Sequence, residues 1–216
     1  MSSSVNRPFR RDEVADYERR RYRGLDQRIV HGREMRILDR IFRRIGESGP
    51  VSVLDAPCGY GRFSEFLLGR ATFLASCDLS AAMVERAAAI RTGRSSSRGA
   101  VADLKQGLPF GPRAFGLVFS MRFFHHLHQS EDRRHVLGEF SRVSSRFAVV
   151  SFYRLNPLHR FQRWVRRGIK HSRTRIKMIT REEFVEEAGQ AGWRVVRIHP
   201  LIRGLHSQHI ALLAKD

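Results

Sequence analysis

Two glycines and three carboxylates stand at spacings that suit a ligand containing a ribose and a positive charge. Gly59 and Gly61 follow an apolar run that ends in Asp55, and glycines in such a turn let a ligand approach the backbone. Asp78 lies 23 residues after Asp55, and Asp103 lies 25 residues further on. An acid about 20 residues past a glycine turn is typical of a group that holds a ribose diol.

A dinucleotide is the alternative ligand for this turn. The stretch from Gly59 to Ser64 differs from the dinucleotide-binding pattern GxGxxG/A by its final serine. However, Asp55 stands four residues before the first glycine, where it would attract a cation and repel a pyrophosphate. The spacing therefore favours a cationic nucleoside ligand, and an NAD-binding oxidoreductase is the alternative.

A group of histidines follows the fourth predicted strand and offers a general base. His125, His126 and His128 lie within four residues of one another, and an imidazole exchanges a proton near neutral pH. Tyr153 ends the fifth predicted strand and is a second candidate at the same edge of the sheet. We interpret His125 and Tyr153 as catalytic candidates. Since no acid or cysteine stands beside the histidines, we predict no metal site.

Hydrophobic periodicity alternates between strands and helices along the chain. A helical pattern precedes residue 48 and is expected to end at Gly49 and Pro50, and Ser130 and Thr180 are predicted to cap later helices. The predicted strands are 51–55, 72–77, a short segment ending at Asp103, 115–120, 147–152, 193–198 and 208–213. This alternation predicts an α/β, doubly wound, mostly parallel sheet of seven strands with a C-terminal antiparallel hairpin.

Length and composition narrow the class of protein. A chain of 216 residues suits one domain, with residues 1–48 as an N-terminal helical extension or lid and residues 49–216 as the main domain. Cys58 and Cys77 form no CxxC pair, which excludes a zinc ribbon and a disulfide scaffold. No stretch reads as a secretory signal or as a membrane span, so we expect a cytoplasmic protein.

The net charge of +19 is concentrated in an insertion at residues 154–177. This segment holds seven arginines and two lysines but no acid. Asn156 and Pro157 suit the start of a helix, and Phe161 and Trp164 fall on its apolar face. A basic amphipathic helix with aromatic residues is typical of contact with a membrane surface or another anionic partner. A packed lid with solvated arginines fits the same pattern.

With these motifs the sequence resembles class I S-adenosylmethionine-dependent methyltransferases, in the broad type 11 family that includes ubiquinone-pathway enzymes. The stretch from Asp55 to Gly61 resembles the first motif, with Pro57 where a glycine is commoner. Asp78 matches the ribose-binding acid, and the stretch from Asp103 resembles the motif that contacts adenine. The likeness covers residues 50–216 and is specific for fold and methyl donor, but it does not identify the acceptor.

The resemblance implies a Rossmann-like fold and S-adenosylmethionine as the methyl donor. His125 is expected to face the acceptor pocket while His126 packs structurally. Residues 16–22 resemble the family's lid, so that Tyr17, Tyr22 or Arg33 could close over the donor. The donor contacts that the resemblance implies are Asp55, Ala56, Pro57, Cys58, Gly59, Gly61, Asp78, Leu79, Asp103, Leu104, Ser120 and Met121.

The expected activity is methyl transfer to a small-molecule or lipid-linked, anionic acceptor. O-methylation is favoured over N- or C-methylation, because a histidine base is needed only where the acceptor carries a proton, as a hydroxyl does. The insertion at 154–177 suggests an anionic membrane surface as a partner, which would place the protein peripherally at the inner membrane. Methylation or binding of RNA on the same fold is the alternative.

Overall fold

The computed structural model of the chain describes residues 13, 25–46, 52–90, 96–155, 176–204 and 206–215. The helices are α1 (Leu25–Ile45), α2 (Ser64–Leu68), α3 (Ala81–Ala88), α4 (Ser130–Val143) and α5 (Arg181–Gln190), and a 3-10 turn covers Phe124–His126. The strands are β1 (Ser52–Asp55), β2 (Phe73–Asp78), β3 (Ser96–Val101), β4 (Phe115–Ser120), β5 (Ser144–Tyr153), β6 (Arg194–Pro200) and β7 (Gln208–Ala214).

The seven strands form one sheet in the order β3-β2-β1-β4-β5-β7-β6. Strands β1 to β5 pair in parallel, whereas β7 is antiparallel to both of its neighbours, β5 and β6. The strand order reverses between β1 and β4, and ligands bind at the carboxyl ends of the strands at such a point. The predicted fold class, including the C-terminal hairpin, is confirmed.

Helices cover both faces of this sheet. On one face α1 buries its apolar stripe, including Ile37, Ile41 and Phe42, against residues of β1, β4 and β7. On the other face Phe140 of α4 and Phe184 of α5 are completely buried. Helix α1 is therefore part of the core of the domain.

Two helix ends differ from the sequence prediction. Helix α1 ends at Ile45, because Gly46 adopts a φ of +92°, the left-handed conformation that terminates many helices. Ser130 is the first residue of α4 and not its cap, and its hydroxyl donates to Glu187 of α5 at 3.0 Å. Thr180 caps α5 as predicted, in a capping box with Glu183.

Some predicted features lie outside the described residues. These are the lid candidates Tyr17 and Tyr22, and the helix expected to begin at Asn156. Within the described ranges, no helix combines the length and the apolar character that crossing a bilayer requires.

Candidate active site

The turn after β1 is held in place by the neighbouring strand β2. The Cys58 N–H donates to the carbonyl of Cys77 at 2.9 Å. The carboxylate of Asp78 accepts two more backbone N–H groups, that of Gly59 at 2.9 Å and that of Ser80 at 3.0 Å. Asp78 therefore joins the glycine turn to the start of α3, and the turn is fixed mainly by backbone groups.

The two glycines of the turn serve different purposes. Gly59 has a φ of +53° and open space where a Cβ would stand, so it can admit a ligand to the backbone. Gly61 has a φ of +85°, but a Cβ there would lie 2.7 Å from Ile90 Cδ1 and 2.9 Å from Ala87 Cα. Gly61 thus lets α3 pack closely against the turn, and its contact with a ligand stays a prediction.

The carboxyl groups of Asp55, which is buried, and Asp78, which is half-buried, stand at the ends of the adjacent strands β1 and β2. Asp55 is 2% exposed, and its Oδ2 has no hydrogen-bond partner among the described residues. Burial and, to a lesser extent, the charge of Asp78 raise the pKa of Asp55 well above its ordinary value. Burial also raises the pKa of Asp78, against the opposing effect of its backbone N–H donors. A cationic ligand group nearby would stabilise both carboxylates.

Asp103 lies two residues beyond the end of the neighbouring strand β3. Strand β3 ends at Val101, because its partner strand β2 ends at Asp78, the residue paired with Val101. The prediction that a strand ends at Asp103 is therefore wrong. Its Oδ1 accepts the Lys105 N–H at 2.9 Å, and the residue lines a separate open groove together with Glu139.

A cavity of about 350 Å³ lies between the turn after β1 and the turn after β4. The predicted site residues that line it are Pro57, Cys58, Gly59, Asp78, Met121, His125 and Tyr153. The predicted residues outside its lining are Asp55, Ala56, Gly61, Leu79, Asp103, Leu104 and Ser120. The rest of the lining, which was not predicted to contact a ligand, consists of Tyr60, Arg62, Phe63, Met83, Arg122, Phe123, His126 and Ile176.

His125 and Tyr153 stand side by side on this cavity. Their ring centroids are 4.8 Å apart in an edge-to-face arrangement. The ring of His126 is 4.0 Å from that of His125 and also borders the cavity, so both histidines face the site. In the part of the chain that the structure describes, no three histidine, cysteine, aspartate or glutamate side chains are grouped to hold a metal ion.

Behind the cavity, Glu34 of α1 is the centre of a buried ion network. It is fully buried and accepts bonds from Arg122 Nε at 2.9 Å and from Gln208 Nε2 at 2.8 Å. Burial alone would raise the pKa of Glu34, but a hydrogen bond with His31 and the charges and hydrogen bonds of Arg122 and Arg62 lower it to about 2. Glu34 is therefore ionised and holds Arg122 at the cavity.

Sequence reasoning missed this network, although one signal was present. Glu34 lies on the same helical stripe as Ile37, Leu38 and Ile41, which makes it an acid on an otherwise apolar face. A buried charge requires a partner. The pattern alone did not say that the partner would be Arg122, which stands 88 residues away.

The two ends of the basic insertion meet beside the cavity. The Leu155 N–H donates to the Ile179 carbonyl at 2.9 Å, and the Ile179 N–H donates to the Tyr153 carbonyl at 3.0 Å. The Lys177 N–H donates to the His125 carbonyl at 3.0 Å, and Ile176 lines the cavity. Leu155 and Ile176, the described residues on either side of 156–175, therefore lie next to His125 and Tyr153.

Comparison with known proteins agrees with this arrangement. Residues 53–146, which include the glycine turn, Asp78 and His125, match the family model described as "Methyltransferase domain". Residues 53–146 thus form a methyltransferase domain, and the predicted resemblance is confirmed over this segment. The methyl donor of this methyltransferase domain is S-adenosylmethionine, so the predicted donor is confirmed. No curated protein sequence matches the chain significantly.

Solved structures share the fold of this methyltransferase at low sequence identity. Magnesium protoporphyrin IX methyltransferase from Synechocystis PCC 6803 with bound SAH superposes with a TM-score of 0.74 at 16% identity, over 95% of this chain and 96% of that chain. A possible histamine N-methyltransferase from Thermotoga maritima gives 0.64 at 16% identity, over 95% and 98%. A TehB-like methyltransferase from Corynebacterium glutamicum gives 0.62 at 18% identity, over 96% and 100%.

The residues of this methyltransferase fit a sulfonium nucleoside. The buried Asp55 Oδ2 without a hydrogen-bond partner among the described residues, and the raised pKa values of the two carboxyl groups, suit a cationic group. The open space at Gly59 suits the close approach of a ligand to the backbone. Burial raises the pKa of the Cys58 thiol, which keeps that residue protonated and unsuited to act as a nucleophile.

Proposed function

We propose that this methyltransferase acts on a hydroxyl group of a small-molecule or lipid-linked acceptor that carries a negative charge. The observation that carries the proposal is the contact between His125 and Tyr153 on the cavity that begins at the glycine turn. A base and a phenol at one wall suit an acceptor that must lose a proton and be held in a fixed orientation.

The bound donor supplies a methyl group on a positively charged sulfur. The protein's contribution to such a displacement is alignment and the exclusion of water. Phe63, Met121, Phe123 and Ile176 give the cavity its apolar surface. His125 takes the acceptor proton, and Tyr153 orients the acceptor oxygen from the adjoining position.

The negative charge of the acceptor is inferred from the insertion at 154–177. Arg154 and Lys177 are at its two ends, next to the cavity, and the segment between them contains no acid. Arginines near an anionic bilayer contribute about 1 kcal/mol each, and the attraction fades over ~8 Å at physiological salt. Several together would draw a lipid-linked acceptor, or the membrane surface itself, to the site.

The test is transfer of radiolabelled methyl groups from S-adenosylmethionine to three acceptor pools: water-soluble metabolites, extracted lipids and total RNA. Label in metabolites or lipids that depends on Asp78, shown by its loss in Asp78→Ala, supports the proposal. Label that resists alkaline hydrolysis indicates an ether or an N-methyl product. Label that is released as methanol indicates a methyl ester, and a carboxylate acceptor of that kind needs no base. Label confined to RNA would replace this proposal with RNA methylation.

The role of the insertion is tested separately by binding. A variant with Arg160, Arg163, Arg166 and Arg167 changed to glutamine is compared with the parent on phosphatidylcholine vesicles, with and without anionic lipid. The matched control changes four exposed arginines elsewhere, Arg28, Arg98, Arg113 and Arg181. Loss of anionic-vesicle binding in the first variant alone supports a membrane role, while equal binding by all three proteins excludes it.

A further inference from the structure

A second cleft, separate from the methyl-transfer cavity, is lined by five arginines, one histidine and four apolar residues. It has a volume of about 270 Å³ and lies between α1 and the C-terminal end of β6. Arg33, Arg36 and Arg40 of α1 line one side, and Arg197, His199 and Arg203 line the other. Arg33 had been a candidate to close over the donor, but it faces this cleft instead.

Among the residues that the structure describes, the acids of α1 next to the cleft are paired with arginines outside it. Glu34 of α1 turns inward to Arg122, and Asp39 is bonded by Arg43 at 2.6 Å and Arg70 at 2.9 Å. Within the described ranges, none of the five cleft arginines makes an ion pair. Five guanidinium groups thus surround a small space, while Glu34 and Asp39, the two nearby acids of α1, pair with arginines outside the cleft.

Regular spacing arranges these cations. Positions 33, 36 and 40 recur on one face of a helix, while Arg197 and His199 are two residues apart on a strand. The positive charges affect His199 in the same cleft. Burial lowers the pKa of His199 most, and the charges of Arg197, Arg40 and Arg44 lower it further. The cations are therefore close enough to act on one bound group.

Four apolar residues also contribute to the lining of the cleft. Ile37 and Leu201 are 5% and 3% exposed, and Ile198 and Pro200 are half-buried. A charge bound in a cleft is less screened than on an open surface. The small volume and the convergence of five arginines distinguish this cleft from a surface scatter of arginines.

We propose that this cleft is a binding site for a phosphate-bearing small ligand of diphosphate size. The planar guanidinium group of arginine donates two parallel N–H groups to a pair of oxygens on a phosphate or a carboxylate. The combined positive charge of five guanidinium groups is much larger than the single negative charge of a carboxylate. A diphosphate brings several negative charges into one small volume and matches it better. The cleft is at the small end of ligand pockets, which span roughly 300–1,000 Å³.

This site is independent of the proposed methyl acceptor. No residue of the cleft lines the cavity of Asp78 and His125. Binding of S-adenosylhomocysteine to the methyltransferase should therefore be the same with and without the cleft arginines. The phosphate-site proposal can thus fail while the proposed methyl transfer stands, and the reverse also holds.

The experiment measures binding of inorganic pyrophosphate to the full chain by calorimetry at about 150 mM salt. The test variant carries Arg36→Gln, Arg40→Gln and Arg203→Gln. The control variant carries Arg28→Gln, Arg98→Gln and Arg181→Gln, which removes the same charge from exposed positions outside the cleft. We expect one saturable site in the parent, about tenfold weaker in the test variant and unchanged in the control.

The ligand source is separated by two further probes, vesicles of phosphatidylcholine with phosphatidic acid and a short RNA. Cleft-dependent binding to pyrophosphate alone supports a free phosphate compound, and cleft-dependent binding to pyrophosphate and to the vesicles supports a lipid headgroup. Absence of saturable pyrophosphate binding, equal weakening by both variants, or cleft-dependent binding of RNA alone would overturn the proposal.

Discussion

The two sides of the methyl-transfer cavity are built in different ways. The glycine-turn side, Pro57 to Phe63 with Asp78, comes from neighbouring segments and is fixed mainly by backbone hydrogen bonds. The histidine side, Arg122 to His126 with Tyr153, joins the turn after β4 to the end of β5 and rests on Glu34 of α1 through side chains. The first side is mainly local, although its Arg62 also pairs with Glu34 at 3.4 Å, and the second is assembled from distant segments.

This difference suggests a division of labour. Backbone groups hold a ligand of fixed shape with little dependence on individual side chains, which suits a donor shared by many enzymes. An assembled side can change its acceptor through a few substitutions while the turn remains intact. The comparison therefore predicts that changes on the histidine side alter turnover and stability, whereas changes on the glycine-turn side alter donor affinity.

The largest expected effect is on turnover. With a hydroxyl acceptor, His125→Ala should lower kcat by ~10²–10⁴ because the acceptor proton has no base. Affinity for S-adenosylhomocysteine should stay within about twofold of the parent. The exposed His128 provides the control as His128→Ala. A large loss of donor affinity in His125→Ala would show that the two sides are not separate.

The next largest effect is on stability. Glu34→Ala leaves Arg122 in a largely buried position without its carboxylate, and removing one partner of a buried ion pair costs about 3–5 kcal/mol. Chemical denaturation measures the loss, with Glu131→Ala as the control because its pair with Arg134 is exposed. A loss in Glu34→Ala no larger than that of the control would mean that the histidine side does not depend on α1.

The pH dependence of stability follows from the same residue. The folded-state pKa of Glu34 is about 2, below the ordinary 4.5 of a glutamate. Its stabilisation is fully present above the ordinary pKa and is lost as pH falls through the folded value, since the unfolded chain binds the proton first. The difference in unfolding free energy between the parent and Glu34→Gln should shrink between about pH 5 and pH 2. A difference that is constant over this range would contradict the network.

The smallest effect concerns donor affinity on the glycine-turn side. Asp78→Ala should weaken binding of S-adenosylhomocysteine by about 1–3 kcal/mol, because buried hydroxyls of the ligand would lose their acceptor. Asp103→Ala is the informative comparison, since Asp103 lies in a separate groove and its loss should matter less. If the two variants lose affinity equally, both acids contact the donor, and the cavity described here is only part of its site.

Much of the fold followed from local patterns. The order of strands and helices, the hairpin and the capping box at Thr180 are set by neighbours in the sequence, and all were confirmed. Ser130 shows the limit of such reasoning. Its residue type and position suit a helix cap, but its hydroxyl donates a hydrogen bond to the side chain of Glu187, 57 residues away.

For the site, the sequence by itself determined the glycine turn, Asp55 and Asp78, because a strand, a turn and an acid at the next strand end are fixed by short-range spacing. Only the tertiary structure decided that Gly61 serves the packing of α3, that Asp103 lines a separate groove, and that Glu34 holds Arg122. It also brought arginines 33–40 of α1 opposite Arg197 and Arg203. These outcomes depend on long-range side-chain contacts, whose partners are chosen by how the helices pack on the sheet and not by spacing along the chain.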